Sequence, residues 1–165
     1  MYKLISYLKH VSHASNQHGV HSPFVYDYVT QCLYAKPKYK GSKSSRVLLK
    51  SIGYFSAKKI DVLSKNMELK TKVQQEFGLS SQEYGPYDII YIENISEDVK
   101  TILNEKHIHN NTMILLDNIH QNKNTTTLWK NLKQRKEITV TIDLFYCGVV
   151  FFRKEQAKEH FKIRI

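Results

Sequence analysis

Hydrophobic residues along this chain follow two spacings, and each spacing predicts a kind of element. Thr112–His120, TMILLDNIH, holds an unbroken apolar run from Met113 to Leu116, followed by Asp117, Asn118 and His120. A short run of this kind suits a strand buried on both faces. Asp88–Ile92, DIIYI, reads the same way and ends in Glu93-Asn94. The segment between them begins at Ser96 with Glu97 and Asp98 in its first turn, and spaces Ile95, Val99, Ile102 and Leu103 as a helix does. Strand, helix and strand at these lengths form a parallel βαβ unit.

The flanking segments extend the pattern. Residues 2–13 set Leu4, Ile5, Leu8 and Val11 on one helical face, which is expected to pack on the protein's own core, with membrane-surface binding as the alternative. Ser22-Pro23 starts a second helix carrying Phe24, Val25, Tyr28, Val29, Cys32 and Leu33 to about Tyr34. Ala35–Lys43, with Pro37 and Gly41, is a loop. A helix from Ser44 or Ser45 to about Tyr54 precedes a strand over Lys59–Leu63 and a helix over Met67–Phe77 that Gly78 caps. After Asp117, a helix over Thr125–Arg135 buries Leu128, Trp129 and Leu132. Ile138–Leu144 and Val149–Arg153 then form an antiparallel hairpin around Tyr146-Cys147-Gly148, and the charged tail ends in an alternating FKIRI. The expected order is helices, then β-α-β-α-β-α-β-β. That describes one α/β domain over 1–165, with a helical and basic extension (1–43) ahead of a mostly parallel core (44–165).

Composition narrows the class. The chain has 165 residues, 41% hydrophobic and 24% charged, enough for one globular core. Its formal net charge of +10 favours an anionic partner. Eight Lys or Arg and no acid lie between Tyr28 and Ile60, so the 36–59 stretch is a candidate nucleic-acid surface, set against the plainer reading of a solvated loop and helix face. Cys32 and Cys147 match no ligand spacing and are expected to be two buried thiols in a reducing compartment, with a single disulfide as the alternative. No segment has the continuous apolar core of a signal peptide or the length of a membrane span, so a cytoplasmic location is expected.

Candidate chemistry gathers where the strands end, because ligands of open α/β sheets sit outside the carboxyl ends of their strands. Asp117 and His120 are the candidate catalytic pair, with His120 as base or supporting partner. His18 and His21, ahead of the Pro23 helix, suit a metal or an anion, or else hydrogen-bond a turn. No phosphate-binding glycine loop, nucleophile elbow or zinc spacing is present.

The segments HGVHSPFVYDYVTQCLY (18–34), ILLDNIH (114–120) and ITVTIDLFYCGVVFFRKEQ-KEHFKIR (138–164, interrupted by Ala157) resemble a Bacteroidetes-type branch of the class I S-adenosylmethionine-dependent methyltransferases. The resemblance implies a Rossmann-like sheet ending in a reversed hairpin, with S-adenosylmethionine as cofactor. It aligns KIDVL with the family's first strand, and the runs ending at Glu93 and Asp117 with the fourth and fifth. Asp61 and Glu93 then stand nearest the cofactor. Glu93, Asp117 and Asn118 correspond to the oxygen ligands of a divalent metal such as magnesium in relatives that methylate hydroxyl groups. The chain departs from the family throughout its cofactor half. The first strand should lead into an acidic, glycine-rich turn, yet no glycine occurs between Gly53 and Gly78. Too few residues separate Leu63 from Tyr87 for the family's second and third strands. The expectation is a reduced methyltransferase-like protein with weak or no cofactor binding. The alternatives are a non-catalytic binding or scaffold protein and a basic nucleic-acid-binding module. A shortened sheet exposes the edge of its first strand, so a homodimer or protein partner is also expected.

Overall fold

In the computed structural model the described residues are 1–16, 19–36, 39–81, 84–96, 99–104 and 106–165, with the side chain of Lys100 set aside. His18, Pro37, Glu97 and Asp98 therefore lie outside the described residues.

Among the described residues, helical segments and strands follow one another much as the pattern requires. Helix α1 covers Tyr2–His13, α2 Pro23–Asp27, α3 Lys43–Phe55, α4 Met67–Phe77, α5 Val99–Ile102 and α6 Lys123–Lys133, and α2 continues as a π-helix over Tyr28–Leu33. The strands are β1 Ile60–Leu63, β2 Ile89–Ile92, β3 Met113–Asp117, β4 Val140–Asp143, β5 Cys147–Phe151 and β6 Glu159–Lys162. They form one sheet in the order β1-β2-β3-β5-β4-β6. Strands β1, β2 and β3 pair in parallel, β5 runs antiparallel to both β3 and β4, and β6 lies parallel to β4. The fold is thus α/β with a six-stranded mixed sheet.

The central strands are buried on both faces, as their unbroken apolar runs predict. One layer packs α2, its π-helical continuation, α3 and α4 against Ile89, Tyr91, Met113, Leu115 and Val149. The opposite layer packs Val99, Leu103, Trp129 and Leu132 against Ile90, Ile92, Ile114, Leu116 and Val150. Alternate residues of β2 and β3 serve the two layers, as the period of two requires.

Helix ends follow local chemistry. Ser22 Oγ accepts from the Val25 N–H, with Pro23 at the first helical position. Gly78 closes α4 at φ 67°. At α3 the cap is Ser42, whose hydroxyl accepts from the Ser45 N–H, so the helix starts ahead of the expected Ser44 or Ser45.

Three expectations need correction. The hairpin turns at Leu144-Phe145-Tyr146, with Phe145 at φ 68°, rather than at Tyr146-Cys147-Gly148. Gly148 belongs to β5 because the Trp129 ring lies against its Cα, a close approach of the kind that places glycine inside a strand. The tail adds a sixth strand, β6, whose pairing with β4 is a long-range contact that no local signal announces. Finally, Leu4, Ile5 and Leu8 of α1 face solvent, and its one buried residue is His10. The sheet end that receives α1 carries Phe145, His120 and Asp143, so the aromatic and polar face of the helix, Tyr7 and His10, docks there instead. Tyr7 meets Phe145 edge-on at 4.9 Å between ring centroids.

Strand β1 is an edge, as expected, but its free side is partly covered. Ile60 bridges to Ser81, whose hydroxyl accepts the Val62 N–H at 2.9 Å.

Candidate functional site

Every parallel strand of the sheet points its carboxyl end the same way, and three of those ends carry an acid. Glu93 follows β2, Asp117 closes β3 and Asp143 closes β4. The three differ in what holds them.

Glu93 is turned towards the β1 end. Its Oε2 accepts from the Ser64 hydroxyl at 2.8 Å and from the Lys65 N–H at 2.9 Å. Ser64 in turn accepts the Asn66 N–H at 2.9 Å, and Asn66 caps α4 through the Leu69 N–H. The turn between β1 and α4 is thereby built on a carboxylate from the neighbouring strand. A cavity of about 590 Å³ lies beside it, lined by Asp61, Leu63, Ser64, Lys65, Lys70 and Glu93 among others. Asp61 is half-buried within β1. Burial raises its carboxyl above the usual value, with His107 and Lys70 opposing.

Asp117 is satisfied by protein donors. Its Oδ1 accepts from the buried Ser44 hydroxyl and from the Asn118 N–H, and its Oδ2 accepts from the Tyr91 hydroxyl at 3.0 Å. Burial, and then the Asp117 charge, hold the Tyr91 phenol far above its usual value, so it stays a donor. Asn118 turns the chain at φ 57°, in the left-handed region that asparagine tolerates. Its N–H also donates to the Tyr146 carbonyl at 2.8 Å. Asp117 and Asn118 are adjacent in the chain and Glu93 follows the neighbouring strand, but both acids accept from the protein's own hydroxyl and amide donors.

His120 does not pair with Asp117. It sits instead with Asp143 and His10, two residues that the sequence pattern did not single out. His120 Nε2 lies 2.8 Å from Asp143 Oδ2, and its Nδ1 lies 3.2 Å from the Thr126 hydroxyl at the start of α6. Asp143 Oδ2 also accepts from Trp129 Nε1 at 3.2 Å, and its Oδ1 from the Phe145 N–H at 2.9 Å. His10 Nδ1 approaches Asp143 Oδ1 at 3.3 Å, but at an angle that makes no hydrogen bond. Both ring nitrogens of His10 are thus buried without a hydrogen-bond partner. His120 lies nearly parallel to the Phe145 ring, and His10 is tilted against it. Burial opposes the charge of Asp143, yet the close approach of the His10 and His120 rings, the charge of His120 and the Phe145 amide outweigh it, so its carboxyl falls well below the usual range.

Among the described residues, His10, His120 and Asp143 form the one group of His, Cys, Asp or Glu side chains whose donor atoms gather closely enough, within 4.8 Å, to hold a metal ion. Sequence signals for the two missed members exist in retrospect. Asp143 ends an apolar strand as Asp117 does. His10 is spaced from Tyr7 by three residues, on the face of α1 opposite its leucines.

The remaining candidates lie elsewhere. His21 is exposed and lines a separate groove with His13 and His160. In the basic stretch, Lys50 Nζ donates to the Leu33 and Ala35 carbonyls, at 3.0 and 2.6 Å, and Lys43 Nζ donates to the Ile165 carbonyl at 3.0 Å. These lysines secure the chain's own loop and terminus. Both cysteines are free and buried. Burial pushes the Cys32 thiol up to about 11, with the Ser51 hydrogen bond and Lys50 opposing. No helix of the described residues is long and apolar enough to cross a membrane.

Comparison with models of protein families, with curated proteins and with solved structures finds no match to this chain.

Proposed function

We propose that this chain is a reduced class I S-adenosylmethionine methyltransferase-like protein that has given up ordinary cofactor binding and serves as a non-catalytic binding partner. The strand order supports the lineage. Strands β1, β2 and β3, followed by the reversed β5 set between β3 and β4, agree with the family's first, fourth and fifth strands and its final reversed hairpin.

One observation carries the loss of cofactor binding. The turn after β1 presents Ser64, Lys65 and Asn66 where the family has glycines, and it spends the Glu93 carboxylate on its own Ser64 hydroxyl and Lys65 N–H. A glycine-rich turn admits a ligand against bare backbone. This turn carries side chains throughout and directs its donors inward to the neighbouring strand. Asp117, bonded to Ser44, Tyr91 and Asn118, is likewise engaged by the protein and acts as a brace between α3 and the sheet.

Calorimetric titration of the folded protein with S-adenosylmethionine, and with its demethylated product, tests the reading. No heat at millimolar ligand is expected. Micromolar affinity overturns the reading and restores a methyltransferase, with Asp117 and His120 as the first residues to substitute. The nucleic-acid alternative would be favoured instead by binding of an oligonucleotide that weakens steeply with added salt.

A further inference from the structure

The two acids that the resemblance offers as metal ligands are bonded to protein donors, whereas the best-formed cluster of metal-ligating atoms involves neither of them. We propose that His10, His120 and Asp143 bind a divalent transition-metal ion of the zinc type, joining helix α1 to the carboxyl end of the sheet. The inference is independent of the methyltransferase lineage and requires no cofactor.

Four observations carry it. The donor set is two imidazoles and one carboxylate, from three separate elements, within 4.8 Å of one another. Such a set suits zinc and its first-row neighbours, whereas magnesium and calcium prefer oxygen throughout. Secondly, His10 is only 5% exposed, and neither of its ring nitrogens has a hydrogen-bond partner. A buried polar group left unsatisfied is unfavourable. A metal ion accepting the lone pair of one ring nitrogen removes half of that deficit.

Thirdly, the surroundings are those of a metal ligand set. The Thr126 hydroxyl meets His120 Nδ1 at 3.2 Å, which leaves Nε2 facing Asp143. The Phe145 amide and Trp129 Nε1 fix the carboxylate from behind. Partners of this kind orient ligands and set their basicity. Phe145 supplies an apolar wall against both imidazoles.

Fourthly, the cluster opens on a cavity of about 430 Å³ that reaches solvent between α1, α6 and β6, with Lys9, Lys130 and Lys162 on its walls. Three protein ligands leave a tetrahedral ion one position open, and this cavity is the route to it. The lysines would favour an anion, such as inorganic phosphate or a carboxylate, over water at that position.

Metal binding is tested on the full chain, stripped with chelator and then titrated with Zn²⁺, and in parallel with Co²⁺ as a spectroscopic probe. The expected result is one equivalent bound per chain, a raised melting temperature, and visible Co²⁺ bands of a low-symmetry nitrogen and oxygen site. Zinc should shift the ring signals of His10 and His120 in NMR spectra and leave those of His21 and His107 in place. That readout uses the unaltered protein, so it assigns the ligands even if a variant fails to fold. His10→Ala and His120→Ala should each weaken binding by about 100-fold or more, Thr126→Val by about 10-fold, and His21→Ala not at all. Two results overturn the proposal. One is no stoichiometric uptake by protein shown by circular dichroism to be folded. The other is zinc shifts confined to histidines other than His10 and His120.

Discussion

A Cβ on Gly148 would lie 2.6 Å from Trp129 Cη2 and 2.7 Å from its Cζ3. Trp129 is fully buried and pinned through Nε1 to Asp143, so it has no room to yield. Gly148→Ala should therefore lower stability by about 1–3 kcal/mol, read as a reduced urea midpoint at unchanged slope. Asp143 contributes to the response to acid. Its carboxyl holds its proton more weakly in the folded chain than in the unfolded one. The stabilisation is therefore complete above the unfolded carboxyl value of about 3.9, and is lost as pH falls through that value towards the lower folded one. Asp143→Asn should flatten the fall in melting temperature below about pH 4 relative to the unaltered protein. Asp143→Ala removes the acceptor of Trp129 Nε1, the Phe145 amide and His120 together, and should destabilise by about 3 kcal/mol or more at neutral pH.

At the scale of the element, helix α1 separates periodicity from packing. Its leucines are amphipathic in spacing yet Leu4 is 63% and Leu8 60% exposed. Leu4→Gln and Leu8→Gln should each change stability by less than about 0.5 kcal/mol. Tyr7→Ala, which removes the edge-on contact with Phe145, should cost about 1–2 kcal/mol. The opposite ranking would restore the leucine face as the packed one. Chemical denaturation of the three variants decides between them. The hairpin shows a related effect. Its position is fixed by the fit of Trp129 over Gly148, and the turn then falls on Phe145 at positive φ, a residue with no local preference for that conformation.

For the whole molecule, the sheet divides into a structural centre and a chemical rim. Strands β2, β3 and β5 are buried along almost their full length, and the side chains bearing chemistry stand where the parallel strands end. The two thiols lie within that centre. Cys32 is held up to about 11 by burial, and Cys147 is raised further by burial and then by the Asp117 charge. A thiol reacts as its thiolate. A disulfide reagent such as Ellman's should therefore label neither cysteine in the folded chain at neutral pH and both after denaturation. Fast labelling of native protein would contradict this burial.

The order of strands and helices up to β5, the doubly buried β2 and β3 and the Gly78 cap were legible from spacing, because each depends on neighbours a few residues away. The strand-end rule also pointed to the edge of the sheet where Glu93, Asp117 and Asp143 stand. Tertiary structure alone decided what that edge contains. Asp117 and His120 are three residues apart in sequence, yet Asp117 turns to Ser44 and Tyr91 while His120 turns to Asp143. His10 reaches the same carboxylate from the opposite end of the chain. The pairing of β6 with β4 and the docking face of α1 are likewise set by contacts between distant segments. Local periodicity reports which residues avoid water; it contains no term for which distant surface will cover them, and a side-chain cluster built from α1, the β3–α6 turn and β4 exists only once those three are brought together.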